Sequence, residues 1–308
     1  MALVNAERTQ EMVASRLKGD KRDVSGASFR VVLISCLGLV LVALGFLLYS
    51  VWPEGYEVLS TRGVVDFVTA PFSINPDKTG VYQGIVGTVT CAVIVTVVAF
   101  PIGVGAAIWL EEYAPTAWYT RAIDIVIRNL SGVPAVVYGL LGLAIFVQGG
   151  FKGMTGGSTV LSAGLTLSIL VLPIVIITSA EAIRAVPNSL REGGYGAGAT
   201  RWEVVRTMVL PNAFPAILTG TILGLARALG EAAPLILIGA KTSGFSGGEW
   251  GDLNGDFTAL PNLITNWATR PAGRWNGNTQ AAILVTLAVV LGINTIGILL
   301  RNRFDKKR

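Results

Sequence analysis

Hydrophobic residues occur in six long blocks along the chain, separated by shorter polar stretches. A helix needs about 20 predominantly apolar residues, at about 1.5 Å each, to cross the hydrocarbon core of a bilayer, and every block meets this requirement. The pattern therefore predicts an all-α membrane protein with about six transmembrane helices. The predicted spans are 30–52, 84–110, 124–148, 159–181, 212–240 and 279–300.

Prolines interrupt the apolar pattern of three spans, at Pro101, Pro134 and Pro173. Neighbouring helices can re-satisfy the backbone groups that a proline frees, so we expect these spans to continue through it. The first span is longer than the apolar region of a signal peptide, and the chain leaves it through Trp52 and Pro53 rather than through a small-residue cleavage site. We expect this span to remain as an anchor.

Composition narrows the class of protein. Charged residues make up only 14% of the 308 residues and hydrophobic residues 52%, whereas soluble domains average roughly 25% charged. The absence of histidine excludes histidine general bases and argues against zinc sites. Cys36 and Cys91 lie in apolar blocks, where a free thiol acts as a small hydrophobe. We therefore predict no catalytic residue and no metal site, and we expect no cofactor bound by this chain.

Lysine and arginine are distributed unevenly around the predicted spans. They concentrate in the N-terminal segment, in the connection after the fourth span and at the C-terminus. Because cytoplasmic loops are enriched in basic residues, both termini are predicted to be cytoplasmic. The expected organisation is a cytoplasmic tail at 1–28, a transmembrane domain at 29–301 and a second tail at 302–308. Basic residues that flank apolar blocks do not indicate nucleic-acid binding, despite the net charge of +5.

The predicted outer loops, at about 53–83 and 241–278, are rich in glycine, proline and asparagine. The second loop contains Trp250, Trp267 and Trp275. Such residues form either an aromatic belt at the membrane surface or a docking surface for an external partner. The sequence leaves both interpretations open.

The predicted cytoplasmic connection at about 186–211 has the pattern of a helix-turn-helix. Ser189 and Glu192 have the spacing of a capping box, which predicts a short helix that begins near Leu190. Gly198 can end this helix with a positive φ angle. The pattern therefore predicts a short helix lying on the cytoplasmic face.

A second capping-box pattern follows at Thr200 and Glu203 and predicts the helix that leads into the fifth span. The preceding short helix contains Gly193, Gly194 and Gly196, each of which costs up to about 1 kcal/mol relative to alanine. A helix with this composition is expected to pack its backbone closely, either against its own bundle or in a groove of a partner protein.

Two pairs of opposite charges lie within the apolar blocks. Arg227 is near the middle of the predicted fifth span, where a charge costs about 2.5–3.5 kcal/mol, and Glu231 follows four residues later. The planar guanidinium of arginine fits phosphate oxygens, so the pair predicts an anion pathway, with a purely structural ion pair as the alternative. Glu181 and Arg184 are predicted to pair at the cytoplasmic end of the fourth span, either guarding an exit or snorkelling to the interface.

The connection also resembles the EAA loop of ABC-importer permeases. In that loop, Glu-Ala-Ala is followed after three residues by Gly and after nine more by Ile-x-Leu-Pro. Here, Glu192-Gly193-Gly194 precedes Gly198 and then Met208-Val209-Leu210-Pro211. The glycines replace both alanines, and Met208 replaces isoleucine.

The resemblance implies a type I ABC-importer permease bundle with a cytoplasmic coupling helix. It also implies that partner ATPase subunits bind ATP and Mg and contact this helix; the chain itself has no P-loop. The implied coupling residues are Ser189, Arg191, Glu192, Gly193, Gly194, Tyr195, Gly198 and Thr200.

Within that family, the chain resembles the phosphate-specific permeases over most of 80–301. The run GIVGTVTCAVIVTVVAFPIGVGAAIWLEEYAP and the run NLSGVPAVVYGLLGLAIF carry the resemblance, and the Gly-Glu-x-Ala-Pro-Leu ending at 230–235 resembles PstA rather than PstC. The resemblance implies phosphate import with a PstC-like second permease, two PstB-like ATPases and a PstS-like external binding protein, in a bacterial inner membrane. The alternatives are a permease for molybdate, sulfate or an organic solute, an ion-gradient-driven carrier, and a membrane scaffold.

Overall fold

The computed structural model describes residues 24–242, 248–271 and 273–305. Most of the predicted N-terminal tail, the last three residues and a part of the second predicted outer loop lie outside these ranges. The described residues form helices and connecting turns, with no strand among them, so the all-α prediction is confirmed. The chain divides into two compact units, the first ending at Pro53 and the second beginning at Glu54.

The helices are numbered here in chain order, and three of them contain a π-helical segment of five residues. They are α1 Val24–Arg62, α2 Val64–Thr69, α3 Tyr82–Tyr113, α4 Trp118–Leu130, α5 Ala135–Val147, α6 Lys152–Thr155, α7 Val160–Arg184, α8 Asn188–Gly196, α9 Arg201–Leu229, α10 Ala233–Ile238, α11 Leu260–Ala268 and α12 Arg274–Asp305. The π segments are Trp109–Tyr113 in α3, Leu143–Val147 in α5 and Val205–Val209 in α9.

Five of these helices, α1, α3, α7, α9 and α12, are long and apolar enough to cross a membrane, and the bent pair of α4 and α5 raises the number to six if it is one span. The prediction of about six spans is therefore confirmed. The prediction for two of the prolines is also confirmed, since Pro101 lies inside α3 and Pro173 inside α7. The apolar side chains of α1 are exposed in this chain, from Phe29 to Leu48.

The third predicted span, 124–148, is not one helix. It is broken between Leu130 and Ala135, and α4 and α5 meet there at an angle of 102°. Pro134 has no N–H, and its ring would clash with the carbonyl of Leu130 in a continuous helix. The Tyr138 hydroxyl donates a hydrogen bond of 2.8 Å to this carbonyl instead. The expectation that the helix continues through Pro134 was wrong.

The fifth predicted span, 212–240, is also broken. Its helix α9 begins earlier, at Arg201, and ends at Leu229. After three intervening residues, α10 begins at Ala233 with Pro234 in its first turn. Pro234 has no N–H to donate, and its ring would crowd the carbonyl of Gly230 in a continuous helix, which disfavours an unbroken span here. Arg227 therefore lies in the last turn of α9 and not in the middle of a continuous span.

The centre of the second unit is formed by α3, α7 and α9. The helix α7 packs along α3 on one side and along α9 on the other, and α9 also contacts α12. Small residues permit the close approach of membrane helices. A Cβ atom added at Gly164 of α7 would lie 2.7 Å from the Cβ of Ile94 in α3, and one added at Gly103 of α3 would lie 2.6 Å from Val175 of α7. The close approach of α3 and α7 therefore depends on glycine at these two positions.

Gly164→Ala is expected to destabilise the fold by about 1–3 kcal/mol, because the added methyl group meets a β-branched side chain that cannot move aside. Gly105→Ala in α3 is the matched control. No atom lies within 4 Å of its added Cβ, so this variant is expected to gain up to about 1 kcal/mol of helix propensity. Unfolding in mixed micelles with a rising fraction of SDS measures both. Equal stability of the two variants would contradict the close packing of α3 on α7.

Candidate functional site

The two broken spans meet at one place in the bundle. The helix α10 packs on α5, and a Cβ atom added at Gly139 of α5 would lie 2.8 Å from the Cα of Pro234. A groove of about 460 Å³ lies between α7 and α9 and reaches Ser131 in the break between α4 and α5. Its lining residues are Ser131, Ile174, Ile177, Thr178, Leu223, Gly224, Ala226 and Arg227. The groove is mainly apolar and holds one charged group.

The position of Ile174 on α7 gives the depth of this groove. At about 1.5 Å per residue, Ile174 lies about 21 Å from Val160 at one end of the helix and about 15 Å from Arg184 at the other. The groove is therefore close to the middle of a membrane-spanning helix. Irregular backbone at this depth is tolerated where it is buried in protein or lines a water-filled cavity. Ser131, in the break between α4 and α5, is one of the residues that line the groove.

Arg227 is the charged group of the groove. Its side chain is 53% exposed, and its Nε atom lies 3.9 Å from Oε1 of Glu231, which follows the end of α9. The predicted proximity of the two residues is confirmed. At 3.9 Å the contact is a loose ion pair rather than a hydrogen bond. A guanidinium in this position retains donors for another acceptor.

Glu181 and Arg184 do not form the predicted pair. Arg184 donates a hydrogen bond of 3.1 Å from Nε to Glu111 at the end of α3, while Glu181 lies 3.9 Å from Nη1 of Arg128 in α4. Arg128 also donates to Asp124, at 3.0 Å. The partners of these two residues are therefore set by contacts between helices and not by their spacing along α7. The expected pair was wrong, and sequence analysis gave Arg128 no role.

The short helix α8 lies where α7 ends and α9 begins. It starts at Asn188, with Pro187 as the N-cap residue at φ −57° and ψ 136°, and no side chain caps it. The predicted capping box of Ser189 and Glu192 is wrong, because Pro187 starts the helix earlier and places Ser189 inside its first turn. Gly198, after the end of α8, has φ +86°, as predicted.

The second predicted capping box, at the start of α9, is present. The Glu203 carboxylate accepts a hydrogen bond of 2.7 Å from the Thr200 backbone N–H, and Thr200 Oγ1 accepts one of 3.4 Å from the Glu203 N–H. The π segment Val205–Val209 follows, closed by a bond from the Leu210 N–H to the carbonyl of Val205. The chain then continues through Pro211 without a break.

One face of α8 packs against this π segment. Gly194 is buried, and a Cβ atom added to it would lie 2.8 Å from both Val204 Cγ2 and Met208 Sδ. Gly193 and Gly196 have no atom within 4 Å of an added Cβ. Close packing against the chain's own bundle is thus confirmed for one glycine of three. Ser189, Glu192, Tyr195 and Thr200 are exposed.

Arg191, like Gly194, faces inward, unlike the exposed coupling residues. Its side chain is 16% exposed and donates from Nη2 and Nε to Oε1 of Glu112, at 2.8 and 3.0 Å. It also donates to the carbonyls of Ile183 and Val186, at 2.9 and 2.7 Å. Glu112, in the π segment of α3, is 5% exposed. Sequence analysis did not single out this glutamate.

The tryptophans of the second predicted outer loop do not form one surface. Trp267 in α11 is buried, and its ring centroid lies 5.7 Å from that of Trp275, over which Arg270 is stacked at 4.2 Å. Trp250 is 58% exposed. Two of the three rings are therefore part of a packed cluster.

Among the described residues, no three His, Cys, Asp or Glu side chains lie close enough together to hold a metal ion.

The family profile of the binding-protein-dependent transport system inner membrane component matches residues 99–308. Permeases of this family act in ABC importers with separate ATPase subunits and a periplasmic binding protein.

The chain is also similar in sequence to transport permeases of several bacteria. The chain is 32% identical over 246 residues to a probable ABC transporter permease, YqgH of Bacillus subtilis, covering 77% of this chain and 78% of the relative. It is 31% identical over 274 residues to the phosphate transport system permease PstA of Mycobacterium leprae, covering 88% and 84%. It is 33% identical over 224 residues to the phosphate transport system permease PstC of Xylella fastidiosa strain 9a5c, covering 66% and 69%.

The fold is that of solved ABC importers. A permease chain in the crystal structure of a bacterial alginate ABC transporter, in complex with its alginate-bound periplasmic protein, superimposes with a TM-score of 0.62. The superposition covers 91% of this chain and 99% of that one, at 18% sequence identity. With the profile match over most of the chain, the conclusion is that this multi-pass protein belongs to the binding-protein-dependent transport system inner membrane component family and is an ABC-importer permease close to PstA.

Proposed function

We propose that the permease forms one half of an importer for inorganic phosphate and that the anion passes Arg227. The observation that supports this most directly is a half-exposed guanidinium in an apolar groove at mid-depth of the bundle. An ionised side chain at such depth is costly, and it marks an ion or substrate pathway by default. The similarity to PstA and PstC favours phosphate as the anion.

The loose pair of Arg227 and Glu231 suits transient binding. An oxyanion that enters the groove competes with the carboxylate, and the planar guanidinium can donate two parallel hydrogen bonds to its oxygens. When the anion leaves, Glu231 neutralises the arginine again. A site with its own competing carboxylate binds the anion without retaining it, which transport requires.

A second set of charges lies between the groove and the end of α7. The Arg128–Glu181 and Arg184–Glu111 pairs follow one another towards the side where α8 lies. In the proposed pathway Glu181 and Arg184 stand near the exit, and Arg128 joins them. Each arginine has a carboxylate neighbour, so each can accept the anion and release it.

The proposed assembly contains a PstC-like second permease, two PstB-like ATPase subunits that bind ATP and Mg, and a PstS-like external binding protein. Both termini are cytoplasmic in this proposal, and the exposed face of α8 contacts an ATPase subunit. Ser189, Glu192, Gly193, Tyr195 and Thr200 are exposed there, whereas Gly194 and Arg191 connect α8 to its own bundle. Membrane lipid surrounds the remaining apolar surface.

Interrupted helices are also found in ion-gradient-driven carriers, where they form the binding site. This chain has two such breaks, near Pro134 and Pro234, that sequence analysis missed. The family match over residues 99–308 nevertheless favours the ATP-driven importer. A permease for another oxyanion, such as sulfate or molybdate, is the remaining alternative, because Arg227 suits any of them.

Uptake by the assembled importer in proteoliposomes tests the substrate. With ATP inside the vesicles and binding protein outside, radiolabelled phosphate is expected to accumulate, and a tenfold excess of sulfate or molybdate is expected to leave its uptake unchanged. Uptake without ATP would favour the ion-gradient carrier. ATP-dependent uptake of sulfate or molybdate, with none of phosphate, would keep the importer and reject phosphate as its substrate.

A further inference from the structure

We propose that Glu112 of α3 is the positioning residue through which movement of α8 reaches the transport pathway. The inference rests on the proposed contact of α8 with an ATPase subunit and adds the step that follows it inside the permease. Glu112 lies 79 positions before its partner Arg191, in a different helix. The pair therefore joins α8 directly to α3.

The bonds made by Arg191 make this connection rigid. Its guanidinium binds Glu112 through two nitrogens, and it also binds the carbonyls of Ile183 and Val186 and the Oδ1 atom of Asn188. One side chain thus ties together the end of α3, the end of α7 and the start of α8. Glu112 is 5% exposed, so water offers the guanidinium little competition for this carboxylate.

A second contact ties the same π segment to the start of α9. The guanidinium of Arg201 lies 5.1 Å from the centroid of the Tyr113 ring, and Tyr113 directly follows Glu112. Arg201 is the first residue of α9, on the other side of the turn at Gly198. Both helices of the connection therefore hold the π segment Trp109–Tyr113. In a π-helical segment the backbone departs from the regular α-helical bonding pattern, and such segments are frequent at functional sites.

The rest of the path follows from the packing of the bundle. The helix α3 packs along α7 over much of its length, and α7 contributes Ile174, Ile177 and Thr178 to the groove beside Arg227. A displacement of α8 is therefore passed through Arg191 and Glu112 to α3, and from α3 to the wall of the groove. Without the Glu112 carboxylate, α8 is expected to move without α3.

The experiment uses the complete importer in proteoliposomes and measures ATP hydrolysis and solute uptake in the same sample. Glu112→Gln keeps the shape of the side chain and removes its charge. This variant is expected to assemble and hydrolyse ATP but to move about tenfold less solute per ATP. Arg191→Lys keeps the charge and loses the simultaneous bonds to the carbonyls, so an intermediate loss is expected. Arg303→Ala removes an exposed arginine of α12 and is expected to match the wild type.

A distance measurement decides the inference without reference to the solute. Spin labels are placed at Gly105 on α3 and at the exposed Ala197 after α8, with Cys36 and Cys91 replaced. Because the two elements move as one unit, the distance between the labels is expected to stay unchanged when ATP is added. In Glu112→Gln it is expected to change or broaden.

Two results would overturn the inference. One is a Glu112→Gln importer with the wild-type uptake per ATP and an unchanged label distance. The other is failure of both Glu112→Gln and Arg191→Lys to assemble, which would assign the pair to folding alone. A wild-type importer that moves no phosphate would instead reject the proposed substrate, and the label distance would still decide the role of Glu112.

Discussion

Arg227→Ala is expected to lower ATP-dependent phosphate uptake about 10- to 100-fold while the importer still assembles. A hydrogen bond to a charged group contributes roughly 1.5–3 kcal/mol, and each 1.4 kcal/mol corresponds to about a factor of ten. Arg227 is the charged residue of the mid-depth groove, so its loss leaves the anion in apolar surroundings. Arg227→Lys keeps the charge without the bidentate geometry, so a smaller loss than in Arg227→Ala is expected. Initial uptake rates at low phosphate concentration measure both.

Glu231→Gln separates the pathway role from a structural ion pair. If Arg227 serves the anion, removal of the competing carboxylate leaves phosphate uptake intact or raises the apparent affinity. If the pair only holds α9 in place, Glu231→Gln and Arg227→Ala are equally damaging. Arg303→Ala controls for the loss of a positive charge elsewhere in the chain. Uptake that survives Arg227→Ala at the wild-type rate would contradict the pathway role.

Local pattern predicts the spans of this protein better than it predicts their breaks. The long apolar blocks identify the spans because the bilayer imposes one length requirement on each. Pro101, Pro134 and Pro173 all lie in such blocks, yet of these three only Pro134 lies at a break between helices. At this break the carbonyl of Leu130 accepts a hydrogen bond from the hydroxyl of Tyr138 in the next helix. Although these two residues are only eight positions apart, their contact depends on the folded geometry, which residue type and spacing do not give.

Charge pairs are predictable only when their partners are neighbours along the chain. The Arg227–Glu231 contact was predicted from a spacing of four residues and is present. Glu181 and Arg184 have a comparable spacing, but both bind residues of other helices. The Arg191–Glu112 pair is the most buried of the ion pairs described here and joins residues far apart in sequence. A resemblance to the EAA loop indicates that Arg191 belongs to a coupling element, but it does not reveal the inward direction of its side chain.

For the glycines of α8, too, the sequence predicts close contact but not the neighbour that each glycine contacts. Their composition predicts close contact with something, and the structure divides them between two surroundings. Gly194 packs on the chain's own π segment, where a stiff valine side chain borders it. Gly193 and Gly196 face open space on the side proposed to meet an ATPase subunit. One helix thus offers a bare backbone to two different neighbours.

Gly193→Leu is expected to lower the affinity of the permease for its ATPase subunit at least tenfold and to leave the permease itself as stable as the wild type. The side chain enters open space in the isolated chain, so it harms only a partner that packs closely on α8. Gly194→Ala is expected to lower the stability of the permease and to leave its affinity for the ATPase subunit unchanged. Its methyl group meets Val204 at 2.8 Å, which costs about 1–3 kcal/mol of permease stability.

Two measurements on the same pair of variants separate these effects, namely unfolding of the permease alone and titration of its ATPase subunit onto the permease in nanodiscs. Tyr195→Ala on the exposed side of α8 adds a comparison, because it shortens a side chain where Gly193→Leu lengthens one. Unchanged ATPase binding in Gly193→Leu would mean that the bare face of α8 does not meet the ATPase. The glycines at 193 and 196 would then be neutral, and the coupling surface would have to lie on the opposite side of the connection, around Arg201 and Arg206.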